Sequence, residues 1–264
     1  MKNKTVCIVG LGYVGLPLAD AFSKHLKVIG YDIDEAKVGK LNAENDKDNI
    51  EFTADPSKIK HADFVIIAVP TPVTKSKEPD LSYVKSAAEI AGKNLKRGAT
   101  VVLESTVYPG VTEEIVAPIL ERESKMNCSI DFYIGYSPER INPGDEAHDL
   151  TKITKIVAGM NDDTMGRLAE LYGLITHVYK AKDTRTAEAA KVIENIQRDL
   201  NIALMNELAL IFHKMGLYKL FCFAKTFTKN ASQLRRKTSF FGQAFFLKER
   251  LLVTLLKLFK RKVC

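Results

Sequence analysis

The sequence has no tryptophan and only four cysteines among its 264 residues. The cysteines, Cys7, Cys128, Cys222 and Cys264, show neither paired nor metal-type spacing, so we expect no metal site and a reduced, cytoplasmic compartment. No apolar run of roughly eighteen residues occurs, and the opening "MKNKTVCIVGLG" has no signal-peptide cleavage pattern. The 46% hydrophobic and 27% charged content indicates a globular chain with one large domain or two small ones.

Acidic residues are almost missing from the end of the chain. Residues 217–264 contain twelve Lys or Arg, a single acid, Glu249, and eight of the thirteen Phe. Their net charge is +11, whereas the preceding 216 residues hold 27 bases and 31 acids, a net charge of −4. The composition therefore changes near Gly216, and the two parts are interpreted separately.

Strand-like and helical stretches alternate through the first part. Apolar runs predict strands at 5–10, 27–32, 62–72, 99–105, 131–137, 152–159 and 176–180. Helical spacing predicts helices at 13–25, 81–95, 111–124, 162–173 and 184–214. This order predicts a Rossmann-like, doubly wound parallel α/β sheet with ligands at the carboxyl ends of its strands. The predicted divisions are 1–182 for this domain, 183–216 for a long helix and 217–264 for an atypical basic tail.

A G-x-G-x-x-G motif, formed by Gly10, Gly12 and Gly15, lies between the first predicted strand and the first predicted helix. The first glycine permits the tight turn, the second lets the backbone approach a pyrophosphate, and the third lets helix and strand pack closely. Asp32 ends the second strand about twenty residues further on, where a carboxylate suits a ribose diol and repels a 2′-phosphate. The spacing predicts NAD rather than NADP; the alternative is a glycine turn without function.

Three further predicted strands end in polar residues. They close with "VPTP" (69–72), "ESTVYPG" (104–110) and "YSPERINPGD" (136–145). Each alone is compatible with an ordinary turn, because Ser, Pro, Gly and Asn favour turns. Together they place hydroxyls, carboxylates and an arginine on the rim where a ligand binds such a sheet.

The long predicted helix has a polar stripe within "KVIENIQRDLN". Lys191, Asn195 and Arg198 recur at i, i+4 and i+7, so they share one face of the helix. Lysine and arginine extending from a core helix to water would give the same pattern. With the polar rim nearby, we favour a stripe that faces a ligand.

Five stretches resemble the UDP-glucose/GDP-mannose dehydrogenase family: "IVGLGYVGLPLA", "VPTP", "ESTVYPG", "GYSPERINPGD" and "KVIENIQRDLNIALMNE". The "SPERINPGD" form is most similar to the branch that acts on UDP-N-acetylhexosamines (glucosamine, galactosamine or mannosamine). The resemblance covers about residues 1–216 and implies an NAD-dependent UDP-sugar 6-dehydrogenase of capsule or O-antigen type polysaccharide biosynthesis. Such an enzyme oxidises the sugar C6 alcohol to a carboxylate and reduces two NAD⁺.

The resemblance also implies roles for individual residues. The catalytic positions hold a water, organise proton transfer and stabilise negative charge on oxygen, and they match Thr106, Glu139, Lys191 and Asn195. The cofactor positions match Gly10, Gly12, Tyr13, Val14, Gly15, Asp32, Lys37, Thr71 and Thr106. The substrate positions match Arg140, Ile141, Lys191, Asn195 and Arg198. The helix at 184–214 matches the one through which family members dimerise, which implies a homodimer.

The sequence departs from the family's pattern after residue 216. The family's second oxidation needs a thiolate from a Gly-Gly-x-Cys loop, in a second domain that also binds the uridine nucleotide. No Gly-Gly pair follows the long helix, and Cys222 and Cys264 lack the glycine turn and a nearby acid. Neither is assigned as the nucleophile. Two functions remain: a truncated, impaired UDP-sugar 6-dehydrogenase, or a non-catalytic NAD-binding remnant.

The basic tail has two interpretations. Its stretch "FFGQAFFLKERLLVTLLKLFKRK" is compatible with an amphipathic helix that lies on an anionic membrane or docks on a partner. A frame change or truncation that replaced the native C-terminal half would also give an abrupt switch in composition, and we favour this second interpretation. No nucleic-acid recognition motif accompanies the charge, so no nucleic-acid partner is expected.

Overall fold

The structure, a computed structural model, describes residues 1–139 apart from residues 2 and 77, residues 154–214, and residue 216. The chain divides into two compact units, Met1–Gln197 and Arg198–Cys264. The sheet lies entirely in the first unit, and only residues 198–214 and 216 of the second are described. The domain boundaries predicted after residues 182 and 216 stay predictions.

In the part of the chain that the structure describes, eight strands form one sheet in the order β3-β2-β1-β4-β5-β6-β7-β8. The strands are β1 (Thr5–Val9), β2 (Lys27–Tyr31), β3 (Ile50–Thr53), β4 (Phe64–Ile67), β5 (Thr100–Leu103), β6 (Tyr133–Tyr136), β7 (Lys155–Gly159) and β8 (Val178–Lys180). Neighbouring strands are parallel except β6 and β7, which are antiparallel. The predicted doubly wound α/β fold is confirmed, and the reversed pair is a feature that the apolar runs did not indicate.

Six α-helices accompany the strands within the described residues. They are α1 (Gly15–Ser23), α2 (Glu35–Glu44), α3 (Ser82–Lys93), α4 (Ala117–Ser124), α5 (Asp162–Tyr172) and α6 (Thr184–Lys214). A 3₁₀ segment at Pro56–His61 precedes β4, and a π-helical turn at Thr112–Val116 leads into α4. Among the described residues, no helix has the length and apolar content needed to cross a membrane.

Alternate residues of the central strands pack into two separate cores. Cys7 and Val9 of β1 belong to one cluster of buried apolar side chains, and Val6 and Ile8 belong to the other. All four residues of β4 are buried. A parallel sheet covered by helices on both faces buries its strands in this way, which explains why these strands read as continuous apolar runs.

The sequence prediction missed α2 and β3. Helix α2 buries only Val38, so its apolar periodicity is weak, although Asp34 caps its first turn by accepting a hydrogen bond from the Lys37 N–H. Strand β3 is a four-residue edge strand with Glu51 exposed in its middle. Both elements lie at the edge of the sheet, where few side chains are buried and the apolar pattern of the sequence is therefore weak.

Candidate functional site

The order of strands creates a switch point between β1 and β4, because the chain winds in opposite directions on the two sides of that pair. Ligands of doubly wound sheets bind at the carboxyl ends of the strands at such a point. The turn after β1, the loop after β4 and the loop after β5 all begin at this edge. The cofactor residues matched by the family resemblance lie in these segments and after β2.

The glycine turn has the geometry that its spacing predicts. Gly10 has a φ of +96°, and a Cβ there would lie 2.9 Å from the Ala68 carbonyl oxygen. A Cβ at Gly15 would lie 1.8 Å from the Gly10 carbonyl oxygen, so helix α1 packs directly on the turn. A Cβ at Gly12 would meet nothing within 4 Å. Gly12 is therefore not required by protein packing, as expected if its bare backbone faces a ligand.

The N-terminus of α1 is suited to an anion. Its N-cap residue, Val14, makes no side-chain capping hydrogen bond, and no acid lies in the first turn. Backbone N–H groups at a helix start carry partial positive charge and need acceptors, which a pyrophosphate supplies. Tyr13 beside this turn is 66% exposed. The predicted contacts Tyr13 and Val14 thus lie at the mouth of the turn.

Asp32 closes the site at the end of β2. Its carboxylate accepts hydrogen bonds from the Leu11 N–H at 2.9 Å, the Asp34 N–H at 3.1 Å and Lys37 Nζ at 2.8 Å. Burial acts to raise the pKa of Asp32, but these hydrogen bonds outweigh it and hold the pKa below its usual value. The carboxylate is therefore ionised at neutral pH, and the Lys37 ammonium lies beside it.

The loops after β4 and β5 are tied together. The Thr71 hydroxyl donates to the Thr106 carbonyl oxygen at 2.8 Å, and the Ser105 hydroxyl donates to the Val69 carbonyl oxygen at 2.6 Å. These two bonds bring Thr71 and Thr106, predicted independently from two motifs, to the same edge of the sheet. Their backbones are fixed relative to each other before any ligand binds.

A buried ionic cluster lies behind this edge. Glu104 follows β5, Glu139 follows β6, and Lys155 begins β7. The Lys155 Nζ lies 2.6 Å from Glu104 Oε2 and 3.2 Å from Glu139 Oε2. Tyr172 donates its hydroxyl to Glu104 Oε1 at 2.5 Å. Burial raises the pKa of Glu104 to about 7, assisted by the charge of Glu139 and opposed by Lys155 and Tyr172.

Helix α6 carries two of the predicted catalytic residues, and one of them, Lys191, contacts this cluster. Lys191 is buried and donates a hydrogen bond to the backbone carbonyl oxygen of Glu139. Asn195 lies one turn further along and is half-buried. Arg198 is an exposed residue of the second unit. Arg140 and Ile141, predicted to contact substrate, lie outside the described residues.

Glu188 is a site residue that the sequence analysis did not identify. It is fully buried, and its carboxylate accepts hydrogen bonds from the Gly110 N–H at 2.6 Å and from the Thr112 N–H and hydroxyl at 2.9 and 2.6 Å. It therefore fixes the end of the loop after β5 to α6. The sequence feature that could have identified Glu188 is its position three residues before Lys191 on the same predicted helix. Similarly, Lys155 stands at the start of the otherwise apolar "KIVAG" strand.

Metal ligation has no support in the part of the chain that the structure describes. No group of three His, Cys, Asp or Glu side chains among those residues is placed to hold an ion. The cysteines that are described, Cys7 and Cys128, are free thiols. Burial raises the pKa of the Cys7 thiol to about 12, so it is not a nucleophile at neutral pH.

Comparison with known proteins gives matches over most of the chain. Residues 4–47 and 43–179 match the NAD binding domain of the UDP-glucose/GDP-mannose dehydrogenase family, and residues 185–219 match that family's central domain. Protein CapL of Staphylococcus aureus is 48% identical over 228 residues, which are 81% of this chain and 54% of CapL. The UDP-N-acetyl-D-glucosamine 6-dehydrogenase of Salmonella typhi is 48% identical over 226 residues, 80% of this chain and 53% of that protein.

A solved structure agrees with these sequence matches. The UDP-D-ManNAc dehydrogenase from Pyrococcus horikoshii superposes with a TM-score of 0.77 at 32% identity, covering 84% of this chain and 57% of that protein. The chain thus spans about half the length of the relatives that it matches.

Proposed function

The chain belongs to the UDP-glucose/GDP-mannose dehydrogenase family, and on that premise we propose that it is the NAD-binding part of a UDP-N-acetylhexosamine 6-dehydrogenase. The observation that carries this proposal is the joint geometry of the glycine turn and Asp32. Gly12 faces open space, α1 presents an uncapped N-terminus, and an ionised carboxylate lies at the end of β2. These features fit the pyrophosphate and the ribose diol of NAD.

The rim residues suit the oxidation of a sugar alcohol. When bound, NAD⁺ accepts the hydride from the sugar C6. As the C6 hydroxyl loses its proton, and before the hydride leaves, Lys191 and Asn195 would stabilise the negative charge on the C6 oxygen, since an ammonium and an amide both donate hydrogen bonds. Thr106 and Glu139 position a water, and they transfer a proton at the C6 oxygen. Arg140, Ile141 and Arg198 are proposed to bind the UDP-sugar itself, and the cytoplasm is the expected compartment.

Asp32→Ala is expected to weaken NADH binding and to reduce the preference for NADH over NADPH. Loss of charge-assisted hydrogen bonds to the ribose diol costs roughly 1.5–3 kcal/mol, or about 10–160-fold in affinity. The variant also releases Lys37, whose ammonium is then able to pair with a 2′-phosphate. Titrations monitored by the fluorescence of each reduced cofactor measure both affinities.

The double variant Asp32→Ala/Lys37→Ala is the control for that experiment. It should keep the loss of NADH affinity but show none of the gain in NADPH affinity, because the released cation is gone. Equal affinity of the unsubstituted chain for NADH and NADPH would contradict the assignment of Asp32.

We propose that the chain is a homodimer through α6. In the first unit, this helix exposes Ile193 and Ile196, at 64% and 53%, three residues apart and so on one side of the helix. Two exposed isoleucines on a helix of 31 residues favour burial against a second copy. Analytical ultracentrifugation of an Ile193→Glu variant, which should be monomeric, tests this proposal.

The second candidate function is a non-catalytic NAD-binding protein whose tail contacts a membrane surface or a partner. Residues 217–264 lie outside the described residues, and the proposal rests on their +11 charge and eight Phe. Deleting 217–264 is expected to remove binding to anionic liposomes and to leave NADH affinity within a few fold. Binding to these liposomes should also weaken as salt rises, because salt screens the charge.

Two outcomes of the deletion would contradict the membrane proposal. Unchanged liposome binding would show that another surface contacts lipid. Loss of NADH binding would show that the tail supports the cofactor site, which also contradicts an accidental origin of the tail by frame change.

A further inference from the structure

Glu188 is not part of the proposed chemistry, although it lies on the same face of α6 as Lys191. The two residues are three positions apart, and both are buried. Lys191 reaches the residues after β6, where it donates to the Glu139 carbonyl oxygen. Glu188 reaches the loop after β5, where it accepts from Gly110 and Thr112. This face of α6 therefore contacts the segments that follow two neighbouring strands.

Glu188 caps the helical segment that follows the β5 loop. This segment runs through the π-helical turn into α4, and its own N-cap residue makes no side-chain capping hydrogen bond. Glu188 Oε2 lies 2.6 Å from the Gly110 nitrogen, and Glu188 Oε1 lies 2.9 Å from the Thr112 nitrogen and 2.6 Å from the Thr112 hydroxyl. The start of a helix has N–H groups without intrahelical acceptors and carries partial positive charge. A carboxylate from another helix supplies both the acceptors and the opposite charge.

The three hydrogen bonds favour an ionised carboxyl at Glu188. Burial raises the pKa of Glu188, and the hydrogen bonds from Thr112 and Gly110 act in the opposite direction. All three groups are donors, so an amide of the same size would place its own N–H₂ against a donor. Glu188→Gln therefore removes at least one of these bonds with little change in the volume of the side chain.

The cap lies close in sequence to a residue of the cofactor rim. Thr106 is four residues before Gly110, and Val107 between them is buried in the core. Pro109 has a fixed φ, which leaves the connection little freedom. The near end of this loop is tied to the β4 loop by two hydrogen bonds. Glu188 fixes the far end, and it fixes that end to α6.

Other contacts between α6 and this segment lie further along the chain from the loop. The Thr184 hydroxyl donates to Glu113. The Arg185 guanidinium lies 2.8 Å from Glu114 Oε1, and the arginine side chain is 58% exposed. Exposed ion pairs contribute little to the free energy of unfolding, but they keep the start of α6 beside the segment. A Glu188 variant is therefore expected to fold with the far end of the loop released.

We propose that Glu188 is a positioning residue that holds Thr106 of the β5 loop in a fixed place relative to Lys191 of α6. This inference rests on the proposed function, because that function gives Thr106 and Lys191 their roles at the cofactor and at the sugar C6. Glu188 is fully buried and acts only through the loop. It joins the loop that contacts the cofactor to the helix that contacts the sugar, so that both are in register before a ligand binds.

The first test observes the Thr106 methyl group by NMR in the full chain without cofactor, labelled with ¹³C at the threonine methyls. Thr106→Ala assigns the signal. Glu188→Gln is expected to shift this signal and to lower the order parameter of the methyl group, because the far end of the loop is released. Thr112→Val removes only the bond from the hydroxyl and should cause a smaller change in the same direction.

Asn161→Ala is the matched control, because Asn161 caps α5 through the same kinds of bond. Its side chain accepts from the Thr164 N–H and from the Thr164 hydroxyl, both at 2.8 Å. Asn161 follows β7, which is antiparallel to β6, so it lies at the opposite edge of the sheet from the cofactor loops. Asn161→Ala should change the Thr164 methyl signal and leave that of Thr106 as it was. A general loss of stability would not separate the two signals in this way.

A double-mutant cycle with NADH tests whether this positioning matters for binding. Thr106→Ala alone should weaken NADH binding by about 2–13-fold, the range for one hydrogen bond. In the Glu188→Gln chain the same substitution should cost less than about twofold, because Thr106 is no longer held against the cofactor. In the Asn161→Ala chain it should cost as much as in the unsubstituted chain.

An unchanged Thr106 signal in both Glu188→Gln and Thr112→Val would overturn the proposal. An equal cost of Thr106→Ala in the unsubstituted and Glu188→Gln chains would overturn it as well. If Glu188→Gln does not fold, Thr112→Val decides on both measurements. If the unsubstituted chain binds no NADH, the proposed function fails, and the methyl signals alone decide on Glu188.

Discussion

Replacing Gly15 with alanine is expected to abolish NADH binding and to lower the melting temperature by roughly 2–12 °C. A Cβ at this position would lie 1.8 Å from the Gly10 carbonyl oxygen, which is backbone and cannot rotate away. The turn or helix α1 has to shift, and such overpacking costs typically about 1–3 kcal/mol, where each kcal/mol corresponds to ~2–4 °C. Calorimetry and a fluorescence titration with NADH measure the two effects.

Two other glycines provide matched controls for that substitution. Gly12→Ala adds the same methyl group where nothing lies within 4 Å, so the fold should keep its melting temperature. NADH affinity should nevertheless fall by about tenfold or more, because the methyl blocks approach of the pyrophosphate. Gly39 lies on the exposed side of α2, and Gly39→Ala should lower neither the NADH affinity nor the melting temperature. Normal NADH binding by Gly12→Ala would show that the turn does not bind the cofactor as proposed.

Oxidation of a UDP-N-acetylhexosamine to its acid by these 264 residues alone is expected to be undetectable beside that of a full-length relative. The residues contain no Gly-Gly-x-Cys loop for the covalent step. They also span about half the length of the relatives, and the resemblance implies that the contacts that hold the uridine nucleotide and position C6 lie in a second domain outside these residues. Absorbance of NADH at saturating UDP-sugar measures turnover, and a full-length relative is the positive control.

Sustained turnover of the UDP-sugar by these 264 residues would be the opposite result. Formation of two NADH per UDP-sugar, abolished by Cys222→Ser, would identify a nucleophile in the tail. It would contradict the expectation that neither Cys222 nor Cys264 is the nucleophile.

The parts of the site that the sequence predicted are those encoded locally. Gly10, Gly12 and Gly15 lie within six consecutive positions, and their roles depend on one turn and the helix that follows it. Asp32 was predictable because a strand, a helix and a second strand of ordinary length bring its carboxylate back to that turn. The family resemblance, now shown for the chain, added the rim residues in their order along the sequence.

The parts that were missed depend on contacts distant in sequence. Glu104 and Tyr172 are 68 residues apart and Glu188 and Gly110 are 78 apart, and nothing in the local pattern of either partner specifies the other. The antiparallel pairing of β6 with β7 was missed for a similar reason, since an apolar run gives a strand but not its direction. Helix α2 and β3 were missed because exposed edge elements bury few side chains.

The central claim is that NAD binds across the carboxyl ends of β1, β2, β4 and β5. Hydrogen–deuterium exchange of the full chain with and without saturating NADH tests it most directly. We expect slower exchange confined to residues 10–16, 32–37, 69–73 and 104–110, with the rest of the sheet unchanged. Protection elsewhere with none in these four segments, or no protection at any NADH concentration, would contradict it.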